Sequence, residues 1–183
     1  LIASFLVLIY AIYLYIKTGL IFQHIALFYT SIFFLGSLGN LIFPNIEPWG
    51  GGLFLFSTGL IWGLYTLNEV LEPSWLGYFL ASSTISIGSI IFINDLVGSN
   101  NLLEIILLIL GSIVFVWGSI QLSEQVIFFI GGLGLIINLP RLITELLPDN
   151  IWPPLILFMV GGVLVAVGLY LNSIRENLKI NAE

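Results

Sequence analysis

Long apolar runs without charged residues are the feature that most constrains the fold of this chain. No Asp, Glu, Lys or Arg lies between Lys17 and Glu47, and further apolar runs lead up to Trp62 and Trp117. A helix needs about 20 apolar residues to cross a bilayer, whereas a transmembrane β-barrel shows alternating strands of about ten residues. Because these runs are long and continuous, they predict membrane-spanning helices, which pair their own backbone polar groups.

Composition points to the same class. Of the 183 residues, 59% are apolar and 8% are charged, whereas soluble domains carry about 25% charged residues. We therefore predict an all-α integral membrane protein with the lipid bilayer around it. The four Lys and Arg residues are too few for a nucleic-acid-binding surface, and the absence of Cys excludes disulfides and thiolate metal ligands. No enzymatic activity, metal site or bound cofactor is predicted.

Pro, Gly and polar residues divide the chain into about seven predicted spans with short connections, which together form a single transmembrane domain. The predicted spans cover residues 1–16, 20–43, 53–71, 75–94, 102–121, 125–139 and 151–171. We expect a loop over residues 45–52.

The later part of the chain carries two further predictions. Pro140 is expected to end the sixth span, and Arg141 to Leu147 are expected to form a short helix at the membrane surface. The first residue, Leu1, lies inside an apolar run that lacks the features of a signal peptide. We therefore expect the chain to be part of a longer protein.

Two stretches of the sequence resemble each other at a constant spacing. Trp62-Gly63 is followed by Glu69, and Trp117-Gly118 is followed by Glu124. The spacing between the Trp, Gly and Glu residues of the two copies is the same, and Gly77 and Gly132 share it. This pattern predicts a duplicated helical hairpin, so that three hairpins and a last helix make up the chain.

The distribution of Lys and Arg predicts the orientation in the membrane. With seven spans, Lys17, Arg175 and Lys179 lie on one side and Arg141 lies alone on the other. The C-terminus is therefore predicted to face the cytoplasm, in a bacterial cytoplasmic membrane or a thylakoid-type membrane. Interfacial aromatic residues support the span ends: Trp49, Trp75 and Trp152.

Glu69 and Glu124 are candidate ion or proton ligands. A carboxylate deep in a membrane is costly and suggests a function, so a symmetry-related pair of carboxylates could bind a cation or relay protons. Both residues, however, are predicted at the cytoplasmic ends of spans, where water reaches them. The other interpretation, which we favour, is that they are solvated helix ends.

Arg141 and Glu145 are candidates for binding a headgroup or anion, because residues four apart share one face of a helix. The alternative, which we favour, is an amphipathic surface helix. His24 is the only histidine, and a neutral imidazole could ligate a haem or a pigment. We favour a hydrogen bond from His24 to a neighbouring helix. Trp62 and Trp117 could stack on a ligand, but packing between helices is the favoured interpretation.

Glycines within the predicted spans favour close approach of helices. The predicted packing positions are Gly59, Gly63, Gly118, Gly131, Gly132, Gly134, Gly161 and Gly162. Such faces indicate packing within the chain, self-association or contact with other membrane subunits. No helix carries a polar stripe, so no aqueous pore is predicted.

The C-terminal third resembles bacterial multi-span membrane proteins of unknown function. The resemblance covers residues 105–175 and is carried by Val116-Trp117-Gly118 and by the stretches 128–134, 142–148 and 160–170, before Arg175. It implies a bundle of repeated helical hairpins and transfers no site residues.

Three functional hypotheses follow from the sequence. The first is a structural or accessory membrane protein that packs in a larger complex. The second is a small-solute or ion transporter, or part of one, that uses the repeated hairpins with Glu69 and Glu124. The third, which we favour least, is a pigment- or haem-associated subunit that uses His24.

Overall fold

The computed structural model describes residues 1–45, 47–98 and 101–146, together with positions 158, 161–162, 165–166, 169–170 and 173. All regular secondary structure in these residues is helical, which confirms the all-α prediction. The helices with defined bounds are α1 (Ile2–Thr18), α2 (Ile21–Ile42), α3 (Pro48–Leu67), α4 (Ser74–Val97), α5 (Asn101–Leu122) and α6 (Gln125–Leu146).

Helices α2 to α6 are long and apolar enough to cross a membrane, by length and composition. These five helices are compatible with a membrane location. Helix α1 is apolar but shorter, at 17 residues. The predicted span over 151–171 falls mostly outside the described residues, although its described positions have helical backbone. The count of seven spans therefore stays a prediction.

The start of α3 differs from the sequence prediction, because the expected loop over 45–52 is helical from Pro48 onward. Glu47 caps the helix in an extended conformation, and its carbonyl accepts the backbone N–H groups of Gly50 and Gly51. Pro48 occupies the first helical position, where its missing N–H costs nothing and its fixed φ suits the helix. Proline and glycine here begin a helix.

Helix α6 also differs from the prediction, because it continues through Pro140 as far as Leu146. The expected stop at Pro140 and the separate surface helix from Arg141 to Leu147 are wrong. Proline removes one backbone hydrogen bond, but membrane helices tolerate this loss when neighbouring side chains supply other bonds. Near the proline, Asn138 Nδ2 donates to the carbonyl of Gly134 (2.9 Å), and Arg141 bonds to Asn138 and to α5.

The chain divides into two compact units, Leu1–Phe92 and Ile93–Glu183. The core of the first unit is built around Trp62, whose ring lies edge-on to Phe28 with 5.0 Å between centroids. The buried apolar residues of this core come from α1, α2, α3, α4 and the α3–α4 connection: Ala11, Leu27, Phe28, Trp62, Leu71, Leu76, Leu80 and Ala81.

Helices α3 and α4 touch backbone to backbone. A Cβ added at Gly88 would lie 2.5 Å from the backbone nitrogen of Phe56 and 2.7 Å from the carbonyl oxygen of Gly52. A Cβ at Gly52 would lie 2.5 Å from the nitrogen of Phe92. These distances are shorter than any real Cβ contact, so only glycine permits this approach. Gly59 makes a third such contact, with the carbonyl of Ala81 at 2.9 Å.

In the second unit, α5 and α6 form an antiparallel pair that also depends on glycine. A Cβ at Gly131 would lie 2.9 Å from both the Ser112 carbonyl oxygen and the Val116 nitrogen. Gly134 lies against the side chain of Ser112. The Ser112 hydroxyl donates to the carbonyl of Leu108 in its own helix (2.8 Å), so the buried hydroxyl is paired.

The two sequence copies share a helix end but differ in their connections. Glu69 (φ 57°) and Ser123 (φ 55°) have left-handed backbones just after α3 and α5. The next residue in each case donates its N–H across the turn, Val70 to Tyr65 and Glu124 to Ser119, both at 3.0 Å. Glu124 therefore corresponds to Val70 in the turn, and Glu69 corresponds to Ser123. Residues 68–73 connect α3 to α4, whereas 123–124 suffice between α5 and α6.

We predict that Gly88→Ala destabilises the first unit by about 1–3 kcal/mol, because the new methyl group meets backbone atoms that cannot rotate away. Thermal unfolding in detergent micelles, followed by circular dichroism, measures the effect. Gly39→Ala in α2 is the matched control, since no atom lies within 4 Å of its added Cβ. Equal melting temperatures for the two variants would contradict the contact between α3 and α4.

Candidate functional site

An ion pair between a buried carboxylate and a partly exposed guanidinium joins α5 to α6 in the second unit. Arg141 Nη2 donates to Glu104 Oε1 at 3.3 Å. The Glu104 side chain is 11% exposed and the Arg141 side chain 47% exposed. Glu104 lies in the first turn of α5, and Arg141 lies near the end of α6. The antiparallel pairing of the two helices therefore brings together charges that lie far apart in the sequence.

Asn138 completes this cluster, which we call the Glu104–Arg141–Asn138 network. Its Oδ1 accepts a hydrogen bond from Arg141 Nη1 at 3.2 Å, and its Nδ2 donates to the carbonyl of Gly134 at 2.9 Å. Asn138 is buried. An unpaired buried carboxylate is expensive, and pairing with a guanidinium that is itself hydrogen-bonded offsets much of that expense. The position of Glu104 in the first turn also complements the helix dipole.

The chemistry available to the network is limited by these pairings. The Arg141 guanidinium already bonds to a carboxylate and to an amide. Glu145, which the sequence placed with Arg141 as a headgroup or anion site, is exposed near the end of α6. Within the described residues, the ion pair of Arg141 is with Glu104. Glu104 is not among the site residues predicted from the sequence.

Glu69 and Glu124 belong to different units. Glu69 is exposed, at the left-handed position that ends α3. Glu124 lies in the short connection between α5 and α6, where it is half-buried and burial raises the pKa of its carboxyl group. Among the described residues, no group of three His, Asp or Glu side chains is arranged to hold a metal ion.

His24 is fully buried in the first unit and contacts the α3–α4 connection. Its Nδ1 lies 3.0 Å from the carbonyl oxygen of Glu72, so Nδ1 carries the proton and donates it. The hydroxyl of Tyr15 donates to the same carbonyl (3.1 Å) and accepts the N–H of Glu72 (2.7 Å). Side chains from α1 and α2 thus hold the backbone of Glu72 in place, through both its N–H and its carbonyl group.

Two buried nitrogens beside this contact, His24 Nε2 and Trp62 Nε1, have no hydrogen-bond partner among the described atoms. The rings of His24 and Trp62 lie 5.8 Å apart, and Tyr15 lies 5.6 Å from His24 on edge. An imidazole that donates through Nδ1 to a carbonyl is oriented as metal-binding histidines are. A haem or pigment, however, needs open space next to Nε2, and this atom is enclosed.

The tryptophans of the two sequence copies have different environments. Trp62 is 7% exposed and belongs to the core of the first unit, whereas Trp117 is 63% exposed on α5. The predicted interfacial residues Trp49 and Trp75 are exposed at the starts of α3 and α4. Trp152 lies outside the described residues. The shared Trp-Gly pattern therefore marks similar helix ends with different neighbours.

The glycines also differ in what they contact. Gly59, Gly131 and Gly134 are at close helix contacts, and Gly63 makes an ordinary contact with Ala81 at 3.6 Å. Gly132 is buried in α6. Among the described residues, no atom lies within 4 Å of an added Cβ at Gly118, Gly161 or Gly162. Sequence analysis did not select the contact glycines at 52, 77 and 88.

A scan of protein-family models, a search of curated proteins and a search of solved structures found no match to this chain. The interpretation of the site therefore depends on its own geometry.

We predict that Arg141→Gln lowers the free energy of unfolding by about 1–2 kcal/mol, because it leaves the Glu104 carboxylate buried without a cation. The value lies below that for a fully buried pair because Arg141 is partly exposed. Thermal unfolding in detergent measures it. The double variant Glu104→Gln with Arg141→Gln restores a neutral pair and should recover part of the loss. Glu145→Gln is the control. An Arg141→Gln protein with an unchanged free energy of unfolding would contradict the stabilising role of the ion pair.

We predict that Glu124→Gln raises the melting temperature at pH 7. Burial raises the pKa of Glu124 in the folded protein, so folding is favoured when the carboxyl is protonated and loses this stabilisation as pH rises through the folded pKa. The glutamine stays neutral at every pH. The difference in melting temperature between the two proteins should therefore vanish at a pH below the pKa of Glu124 in the unfolded chain. The exposed Glu145→Gln variant is the control. A Glu124→Gln protein that is less stable at pH 7 would contradict the assignment.

Proposed function

We propose that this chain is an integral membrane protein with a structural or accessory role, which packs against a helix of another membrane subunit through one face of α5. The observation that carries this proposal is an exposed stripe on α5. The residues of this stripe, which we call the outer face of α5, are Leu110, Gly111, Val114, Trp117 and Gly118.

The outer face of α5 combines small and large residues at helical spacing. Leu110, Val114 and Trp117 are 52%, 63% and 63% exposed. Gly111 and Gly118 are two turns apart on the same side, and within the part of the chain that the structure describes no atom lies within 4 Å of an added Cβ at either position. Two glycines between large side chains make a shallow channel along the helix. Such a channel has the shape that admits the backbone of another helix.

The glycines that already contact another helix of this protein support this interpretation. At Gly52, Gly88 and Gly131, glycine is what permits the close contact between two helices. A glycine within a helix costs roughly 1 kcal/mol relative to alanine, and close packing with a neighbour offsets that cost. The glycines on the outer face of α5 have no such neighbour in the described structure, so we infer that a partner helix supplies it.

The proposal includes the arrangement in the membrane. The five apolar helices of spanning length support insertion into a bilayer. We propose seven spans, arranged as three hairpins and a last helix, in a bacterial cytoplasmic or thylakoid-type membrane. The Lys and Arg distribution supports a cytoplasmic C-terminus, since Lys17, Arg175 and Lys179 then share the cytoplasmic side. The resemblance of the C-terminal third to multi-span proteins of unknown function is consistent with the repeated helical hairpins.

We predict that Gly118→Leu weakens the partner interaction by about tenfold, which corresponds to about 1.4 kcal/mol, because the larger side chain prevents the close approach of a second helix. A photo-crosslinking residue at Val114 in native membranes should trap one defined protein, and the yield should fall in the Gly118→Leu background. Gly39→Leu in α2 is the matched control, since no atom lies within 4 Å of the Cβ added at that glycine either.

Three outcomes would contradict the proposal. Crosslinking to lipid alone would show that the outer face of α5 is covered by the bilayer. A crosslink to a second copy of the chain would replace the accessory role with self-association. A large drop in the melting temperature of purified Gly118→Leu would show that the face packs within the chain itself.

A further inference from the structure

A groove lies in the first unit, between the end of α2 and the start of α3. Its volume is about 700 Å³. The apolar side of the groove is formed by Ile42, Phe43 and Leu53, and the polar side by Asn45, Glu47 and Trp49. The two adjoining helices are both long and apolar enough to span a membrane. Because the groove lies where α2 ends and α3 begins, it is placed at the level of the lipid headgroups.

One hydrogen bond organises the polar side of the groove. Trp49 Nε1 donates to Glu47 Oε2 at 2.7 Å. This bond orients the carboxylate and places an indole ring next to it. Glu47 is exposed and Trp49 is 40% exposed, so a ligand can reach both. Among the described residues that line the groove, none is Lys, Arg or His, and the local charge is therefore negative.

We propose that this groove binds a membrane lipid with a primary ammonium headgroup, phosphatidylethanolamine. The ammonium would donate to the Glu47 carboxylate, which forms strong charge-assisted hydrogen bonds. The Trp49 ring beside it would attract the same cation through its electron-rich face. The apolar residues of the groove would accommodate the first part of the acyl chains. This inference requires a membrane location but not the partner helix of α5.

The charge and the apolar lining together select the lipid over other occupants. An anionic lipid would bring its charge next to Glu47 without a cation in the groove to balance it. A choline headgroup carries the same positive charge but has no N–H to donate to the carboxylate. A small soluble amine would match Glu47 but would leave the apolar side of the groove exposed to water.

Native mass spectrometry of the detergent-purified full chain tests the proposal. The protein is titrated with phosphatidylethanolamine, phosphatidylcholine or phosphatidylglycerol of identical acyl chains, and the occupancy of the first bound lipid is compared. We expect phosphatidylethanolamine to bind about fivefold more tightly than the other two, as expected for one partly exposed ionic contact with a cation–π contribution. Glu47→Gln should abolish this preference.

The matched control is Glu69→Gln, which neutralises an exposed carboxylate at the opposite end of α3 and should leave the preference intact. Circular dichroism verifies that both variants stay helical. Equal binding of the three lipids by the unaltered protein would overturn the proposal. So would a preference that survives Glu47→Gln. Displacement of the lipid by millimolar ethanolamine would overturn it as well, because it would show that the site takes a soluble amine.

Discussion

The contact between α3 and α4 depends on the absence of side chains at Gly52 and Gly88. At these positions the backbones lie so close that an added Cβ would meet main-chain atoms at 2.5 Å. In a lipid environment the hydrophobic effect does not drive helices together, so van der Waals contact between closely packed backbones has to do so. The α5–α6 pair follows the same rule at Gly131 and Gly134. Other features of each unit are arranged around these contacts.

Buried polar groups join the helices at points away from the glycine contacts. In the first unit, Tyr15 and His24 bond to the backbone N–H and carbonyl groups of Glu72. In the second unit, Arg141 pairs with Glu104. Polar groups without partners are costly in apolar surroundings, so each of these bonds favours one arrangement of the helices over others. The units thus combine close backbone packing with a small number of directed polar contacts, and their remaining surface is largely apolar.

The sequence predicted where the helices begin and end better than it predicted which residues contact each other across helices. Helices α1, α2, α4 and α5 begin and end close to the predicted bounds, because polar and helix-breaking residues delimit apolar runs. Pro48 and Pro140 were misinterpreted for one reason: a proline's effect depends on its place in the helix. At the first position it costs nothing, whereas inside α6 it removes one backbone hydrogen bond, and the helix nevertheless continues to Leu146. The residues next to a proline do not determine whether a helix continues through it, because this depends on how the helix packs.

By itself, the sequence determined that this chain is helical and apolar enough for a membrane, because hydrophobicity and run length are local properties. It also located the repeated helix ends after Trp62-Gly63 and Trp117-Gly118. Only the tertiary structure decided that Trp62 is buried while Trp117 is exposed, and that Arg141 pairs with Glu104 rather than with Glu145. These outcomes depend on the register of one helix against another. The register is set by contacts between residues far apart in the chain, such as the contact of Gly131 with the backbone of Ser112.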